Sequence, residues 1–243
     1  MITGFSKASL YFLLVIVFAV WVMDGLVDDW GRLSGSGENL IIFFQESLWP
    51  PNWSVIEPQA YPVCTAYPIF DFTCSTAWIG MVETIKIAFV STVLGTIISL
   101  PIGLLAARNL NSKTVSFIAR FFLAASRSLP SIIWAIFFVI LVGFGPLSGV
   151  LAMTIYTVGY LGKLQYESIE GMSSTPLEAA GSMGLSKLET AIGVVIPESA
   201  NHLISQAIFM FEYNVRHGTV IGIVGAGGIG YYINLYLRFL QYD

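Results

Sequence analysis

EAAGSMGLSKLETAIGVVIP, residues 178–197, is a charged, water-compatible stretch inside a chain that is otherwise coloured for lipid. Glu178, Ala179 and Ala180 are followed by Gly184, by a polar run holding Lys187 and Glu189, and by Val194, Ile196 and Pro197. Ala179, Ala180, Gly181 and Gly184 recur at three- and four-residue spacing, which predicts a helix with one face shallow enough for another protein to approach closely. Thr175 and Pro176 make a suitable helix start, and Glu178 is favoured by the positive end of the helix dipole. A bare Glu-Ala-Ala is far better explained by an ordinary surface helix. The downstream Gly184 and Pro197, in a membrane chain, turn the reading toward docking.

The membrane setting follows from composition. The 243 residues are 56% hydrophobic and only 11% charged, against about 25% charged in soluble domains. The chain is therefore read as an all-α integral membrane protein. Its net charge of −4 matters less than where the charges fall. Asp24, Asp28, Asp29, Glu38, Glu46, Glu57 and Asp71 face the single base Arg32 between residues 24 and 77. Lys and Arg mark the cytoplasmic flanks of spans, so this acidic segment is expected outside. No basic tract with interleaved aromatics is present, which argues against nucleic acid as a partner.

Three regions follow. Residues 1–23 hold a first span, uncharged from Ala8 to Met23 and without a small-x-small cleavage site. Residues 24–77 form an external loop, in which Trp49, Pro50, Pro51, Trp53, Pro58, Pro62 and Pro68 oppose long helices. Cys64 and Cys74 both fall there; a disulfide suits an oxidising compartment, two free thiols are the alternative, and no nearby His completes a zinc site. Residues 78–243 form the core, with the cytoplasmic loop at about 166–197. Within it one span runs from about Trp78 to Arg108, and Arg108, Lys113, Arg120 and Arg127 are expected to form a cytoplasmic flank. Residues 128–162 are uncharged and read as two spans joined by an external turn at Gly143, Gly145, Pro146 and Gly149. A fifth span from about Asn201 to Val215 carries His202 and Gln206. Its polar groups must face protein or water rather than lipid.

The Glu-Ala-Ala, Gly184 and Val194-x-Ile196-Pro197 spacing resembles the EAA loop of the permease subunits of ABC importers. Further matches resemble the permeases of phosphonate-type importers. They include Trp49-Pro50-Pro51, Leu100-Pro101, Ala106-Ala107-Arg108-Asn109, Ser126-Arg127-Ser128-Leu129-Pro130, Glu167 with Glu170, Glu212-Tyr213-Asn214-Val215-Arg216 and Gly225-Ala226-Gly227-Gly228-Ile229-Gly230. The resemblance implies a polytopic bundle of the type I importer kind, with about five spans present and the usual final span missing after Tyr242-Asp243. It implies a multi-pass bacterial inner-membrane protein that imports a phosphonate, phosphite or phosphate. It further implies a homodimer in lipid, an ATP-binding partner subunit that alone binds ATP, and a periplasmic substrate-binding protein. Glu178, Ala179, Ala180, Gly184 and Pro197 would then meet the ATP-binding subunit.

Arg127, Asn214, Arg216 and His217 are candidates for an anion path, because an oxyanion in a low-dielectric passage needs positive charge and donors. Arg127 as a helix-end anchor and Arg216 paired with Glu212 are the plain structural readings. Two alternatives remain at this stage. One is a permease of the same architecture for a solute such as methionine. The other is an intramembrane enzyme using Glu198, His202 or His217, although no HExxH occurs. Gly225, Gly227 and Gly230 fit GxGxxG, but no further strands or acid follow, so they are read as a tight bend. No catalytic residue, metal site or resident cofactor is expected, and no GxxxxGK[ST] is present.

Overall fold

The computed structural model describes residues 7–27, 29–45, 50, 53–58 and 70–238. Asp28, Glu46, Trp49, Pro51, Pro62, Cys64, Pro68 and the terminal Tyr242-Asp243 lie outside the described residues. The chain divides into two units, residues 1–52 with 243, and residues 53–242.

The first unit contains α1 (Lys7–Leu26), a 3₁₀ turn (Trp30–Leu33) and α2 (Ser36–Phe43). Residues 9–26 of α1 are apolar enough to cross a membrane, and their side chains point outward all round. The helix runs three residues past the expected boundary at Met23, through Asp24, whose carboxylate accepts from Trp30 Nε1 at 2.9 Å.

The second unit is a helical bundle built on α3 (Thr76–Ala106) and α6 (Pro146–Glu170). Ser75 caps α3 by accepting from the Trp78 N–H. The two helices run parallel, with Ser91 beside Val150, Gly95 beside Thr157 and Gly103 beside Gln165. Small residues set this crossing. A Cβ on Gly95 would lie 2.4 Å from Thr157 Cγ2, and one on Gly103 would lie 3.2 Å from Gln165 Cβ. Close backbone approach through small residues is the usual means of packing helices where lipid removes the hydrophobic incentive.

The stretch expected as cytoplasmic flank followed by a span is instead two helices, α4 (Lys113–Ser128) and α5 (Ser131–Val142), bent by 83°. The cause is local: Leu129 precedes Pro130, and the proline ring drives it to extended φ −95°, ψ 137°. Trp134 Nε1 then donates to the Ser126 carbonyl at 3.1 Å across the bend. This corrects the placement of Arg127. It does not flank the bundle end with Arg108 and Arg120, but sits at the far end of α4, its backbone beside Gly159 near the middle of α6.

After the loop at 171–186, α8 (Lys187–Thr190), a π-helical turn (Ala191–Val195) and α9 (Ile196–Gly222) are contiguous. The last runs antiparallel to α6, with Gln206 donating to the Leu164 carbonyl at one level and Tyr213 meeting Tyr156 at another. A glycine turn leads to α10 (Ile229–Arg238), which folds back on the start of α3. Gly225, Gly227 and Gly228 take φ of +89°, +82° and +77°, conformations that side chains rarely adopt. The turn closes where the Ile229 N–H donates to Thr84 Oγ1 at 2.9 Å, so these glycines form a bend. Among the described residues there is no β-strand.

Candidate functional site

The 178–197 stretch is not one helix. The segment α7 (Thr175–Ser182) carries Pro176 at its start and Glu178 in its first turn, where the carboxylate accepts from Ser174 Oγ at 2.8 Å. It ends at Gly184, whose φ is +73°. The Leu185 N–H returns to the Ala180 carbonyl and the Gly184 N–H to that of Gly181, which is a Schellman ending. Gly184 is therefore the helix stop rather than part of a shallow face; a Cβ there would meet nothing within 4 Å.

The next helix starts two residues later. Ser186 Oγ accepts from the Glu189 N–H, and Glu189 Oε2 accepts from the Ser186 N–H at 2.8 Å. This reciprocal capping box was present in the sequence as Ser-Lys-Leu-Glu. It holds the Glu189 carboxyl below its ordinary value, chiefly through the hydrogen bond from the Ser186 side chain.

Pro197 does not end the segment, for the helix passes through it. A proline cannot donate to the carbonyl four residues back, and its ring crowds that carbonyl. The turn before it widens instead: the Ile196 N–H bonds to Ala191 O, five residues earlier. Of the five residues expected to meet a partner, Glu178, Ala179, Gly184 and Pro197 are exposed, and Ala180 is buried as an anchor. The sequence reading missed the apolar tip they surround. Met183 is 68% exposed and Leu188 70%. Beside them an open groove of about 600 Å³ is lined by Leu104, Leu105, Leu110, Leu177, Leu185 and Leu188, among others.

At mid-bundle the candidate path residues separate. Asn214 is wholly buried, donating to Thr92 Oγ1 at 2.9 Å and Thr157 Oγ1 at 3.0 Å. It clamps α3, α6 and α9 together. Arg216 pairs with Glu212 one turn back, and both side chains are about two-thirds exposed. His217 stacks on Tyr213 with ring centroids 3.8 Å apart, and Tyr213 shares a hydroxyl hydrogen bond with Tyr156 at 2.8 Å. Arg127 is exposed on α4; among the described residues no ion pair engages it, and none joins it to the α9 group. His202 and His217 are about 22 Å apart along α9, too far to share a metal. Cys74 is buried and disulfide-bonded, while Cys64 lies outside the described residues.

A bundle of glycine-packed, lipid-compatible helices that carries a capped two-helix loop with an apolar tip is a polytopic membrane protein. The chain belongs to the family of binding-protein-dependent transport system inner membrane components, whose model matches residues 99–243. It is 38% identical over 231 residues to the phosphite transport system permease protein PtxC of Stutzerimonas stutzeri, covering 94% of this chain and 76% of that protein. It is 35% identical over 177 residues to the phosphate-import permease protein PhnE of Mycolicibacterium smegmatis, covering 72% of this chain and 33% of that one. Among solved structures, the MetNI methionine ABC transporter in an inward-facing conformation matches with a TM-score of 0.58 at 26% identity, covering 65% of this chain and 80% of that chain.

Membership makes this protein a multi-pass inner-membrane transport component rather than an enzyme. An ATP-binding subunit and a substrate-binding protein are its partners by family.

Proposed function

We propose that this subunit carries a phosphorus oxyanion, phosphite, phosphate or a phosphonate, across the inner membrane. Its 38% identity to a phosphite permease over nearly the whole chain is the observation that carries this reading. Arg127 supports it: a cation at the level of the α6 midpoint is costly facing lipid, and an anion passage removes that cost. Arg216 and His217 contribute from α9, while Asn214 holds the helices.

The working unit is a homodimer in lipid. Asn201, Ser205, Glu212 and Arg216 are exposed along one face of α9, and a second copy or the water between copies is the natural cover for polar groups at membrane depth. Glu178, Ala179, Gly184 and Pro197, with the Met183 and Leu188 tip, dock on the ATP-binding subunit, and Ala180 anchors them. ATP is held by that partner, and this subunit has no cofactor of its own. Cys64 closes the external loop with Cys74.

The test is ATP hydrolysis by the purified complex in lipid, with its binding protein and phosphite, phosphate, methylphosphonate or methionine. Stimulation by a phosphorus oxyanion is expected. Stimulation by methionine alone, the reading favoured by the MetNI likeness, would keep the architecture and discard the solute.

A further inference from the structure

We propose that the Arg120–Glu170 pair is the joint that passes movement of the α7–α8 loop to α3 and α4; this rests on the docking role given to that loop above. Glu170 is the last residue of α6, and residues 171–174 alone separate it from α7. Its Oε1 accepts from Arg120 Nη2 and also from the Arg108 backbone N–H at 2.6 Å. The same guanidinium donates through Nε to the Ala106 carbonyl at 2.9 Å and lies 4.3 Å from the centre of the Tyr166 ring. Beside it Asn109 Nδ2 donates to the Ile169 carbonyl at 2.9 Å. The carboxylate thus ties the α3–α4 turn and α4 to the end of α6, and the arginine it holds adds the end of α3.

This differs from an ordinary surface ion pair. The two side chains are 21% and 27% exposed, and the arginine is engaged on three sides. Exposed pairs are worth little, whereas part-buried, charge-assisted networks fix geometry. A mechanical path also leads to it. Ala107, Ile169 and Val195 form one buried cluster, and Leu177 of α7 packs against it. Packed interiors transmit displacement, so a push on α7 reaches Ile169 and its neighbour Glu170. Glu170 has donors on two separate elements, Arg108 on the turn and Arg120 on α4. Holding one while releasing the other gives the end of α6 two discrete positions, which is what transmission between distant sites requires.

The experiment uses the full complex with its ATP-binding subunit in vesicles, with binding protein and whichever of phosphite, phosphate or methylphosphonate the wild type imports. The readout is ATP hydrolysed per anion imported. Glu170→Ala is expected to raise that ratio about tenfold, a coupling loss of ordinary size, with the ATP-binding subunit still co-purifying. Glu170→Gln retains one acceptor oxygen for Arg108 and Arg120 but not the charge, and is expected to fall between Glu170→Ala and wild type. An unchanged ratio in Glu170→Ala, or loss of the bound ATPase subunit in both variants, overturns the joint. Gly184→Arg is measured alongside. If it imports normally, the loop reading fails and the joint falls with it; if it abolishes uptake while Glu170→Ala leaves the ratio unchanged, the joint alone is wrong.

Discussion

Asn214 Nδ2 of α9 lies 3.0 Å from Thr157 Oγ1 of α6, at a point in the bundle where neither residue is exposed. Thr92 Oγ1 of α3, which accepts from the same amide, itself donates to the Ala88 carbonyl. The three helices are therefore cross-linked by one side chain whose donors are both engaged. A group so enclosed holds the three helices together.

Asn214→Leu is expected to cost about 1–2 kcal/mol, the loss of two modest hydrogen bonds in a membrane interior. Thermal unfolding in detergent would show it as a Tm lower by roughly 2–8 °C. Uptake should fall only in proportion to folded protein, with KM for the anion unchanged. A raised KM at normal stability would return Asn214 to the conduction path.

Gly184→Ala tests the loop differently. With φ +73° and open space around the site, the penalty is in the backbone and not in contact. It should be about 1–2 kcal/mol for a residue forced left-handed. Gly184→Asn, which tolerates that conformation better, should recover much of it. Affinity for the ATP-binding subunit is the measurement. Equal loss with alanine and asparagine would point to a contact at that position instead of to the helix stop.

The capping box gives a pH dependence. Because Glu189 has its carboxyl lowered from 4.5 in the folded loop, its contribution is complete above the unfolded value and is lost as pH falls through the lower, folded one. Protection of the Ser186 and Glu189 amides, taken relative to each amide's intrinsic exchange rate at the same pH, should therefore be flat above about pH 5 and fall at lower pH. In Ser186→Ala the carboxyl should titrate nearer its ordinary value. Loss of protection, relative to each amide's intrinsic rate, between about pH 6 and 8 instead would contradict the assignment.

The sequence exposed its architecture where rules are local. Apolar length located α1, α3 and α6, and the glycines at 225–228 announced a bend, because both depend on composition over one stretch. The EAA stretch reads from its sequence as one helix, whereas the chain makes two there. Its Schellman ending and capping box were legible as Gly184 and Ser186-x-x-Glu189, yet the spacing of small residues was weighed instead. Two things lay beyond a linear reading. The Arg120–Glu170 pair joins residues far apart in the chain with no periodic signal. The depth of Arg127 follows from an 83° bend, and one Leu-Pro step does not fix how far a helix turns.

Gly95 and Thr157 set the spacing of the two central helices, and that spacing should be open to repair. Even the methyl of Gly95→Ala would sit 2.4 Å from Thr157 Cγ2 and 2.7 Å from its Cβ. Something must shift, and both backbones are held along their length by neighbouring contacts. Overpacking of this kind costs about 1–3 kcal/mol. Thr157→Ser removes the offending methyl and keeps the hydroxyl that meets Asn214, so alone it should be mild. The pair Gly95→Ala with Thr157→Ser should then be more stable than the sum of its parts by about 0.5 kcal/mol or more. The rescue must be partial, since the 2.7 Å approach to Cβ remains. Unfolding of the four proteins in one detergent measures the cycle. Strict additivity would mean that α3 and α6 do not meet at these two residues, and the parallel register described for them would have to be redrawn.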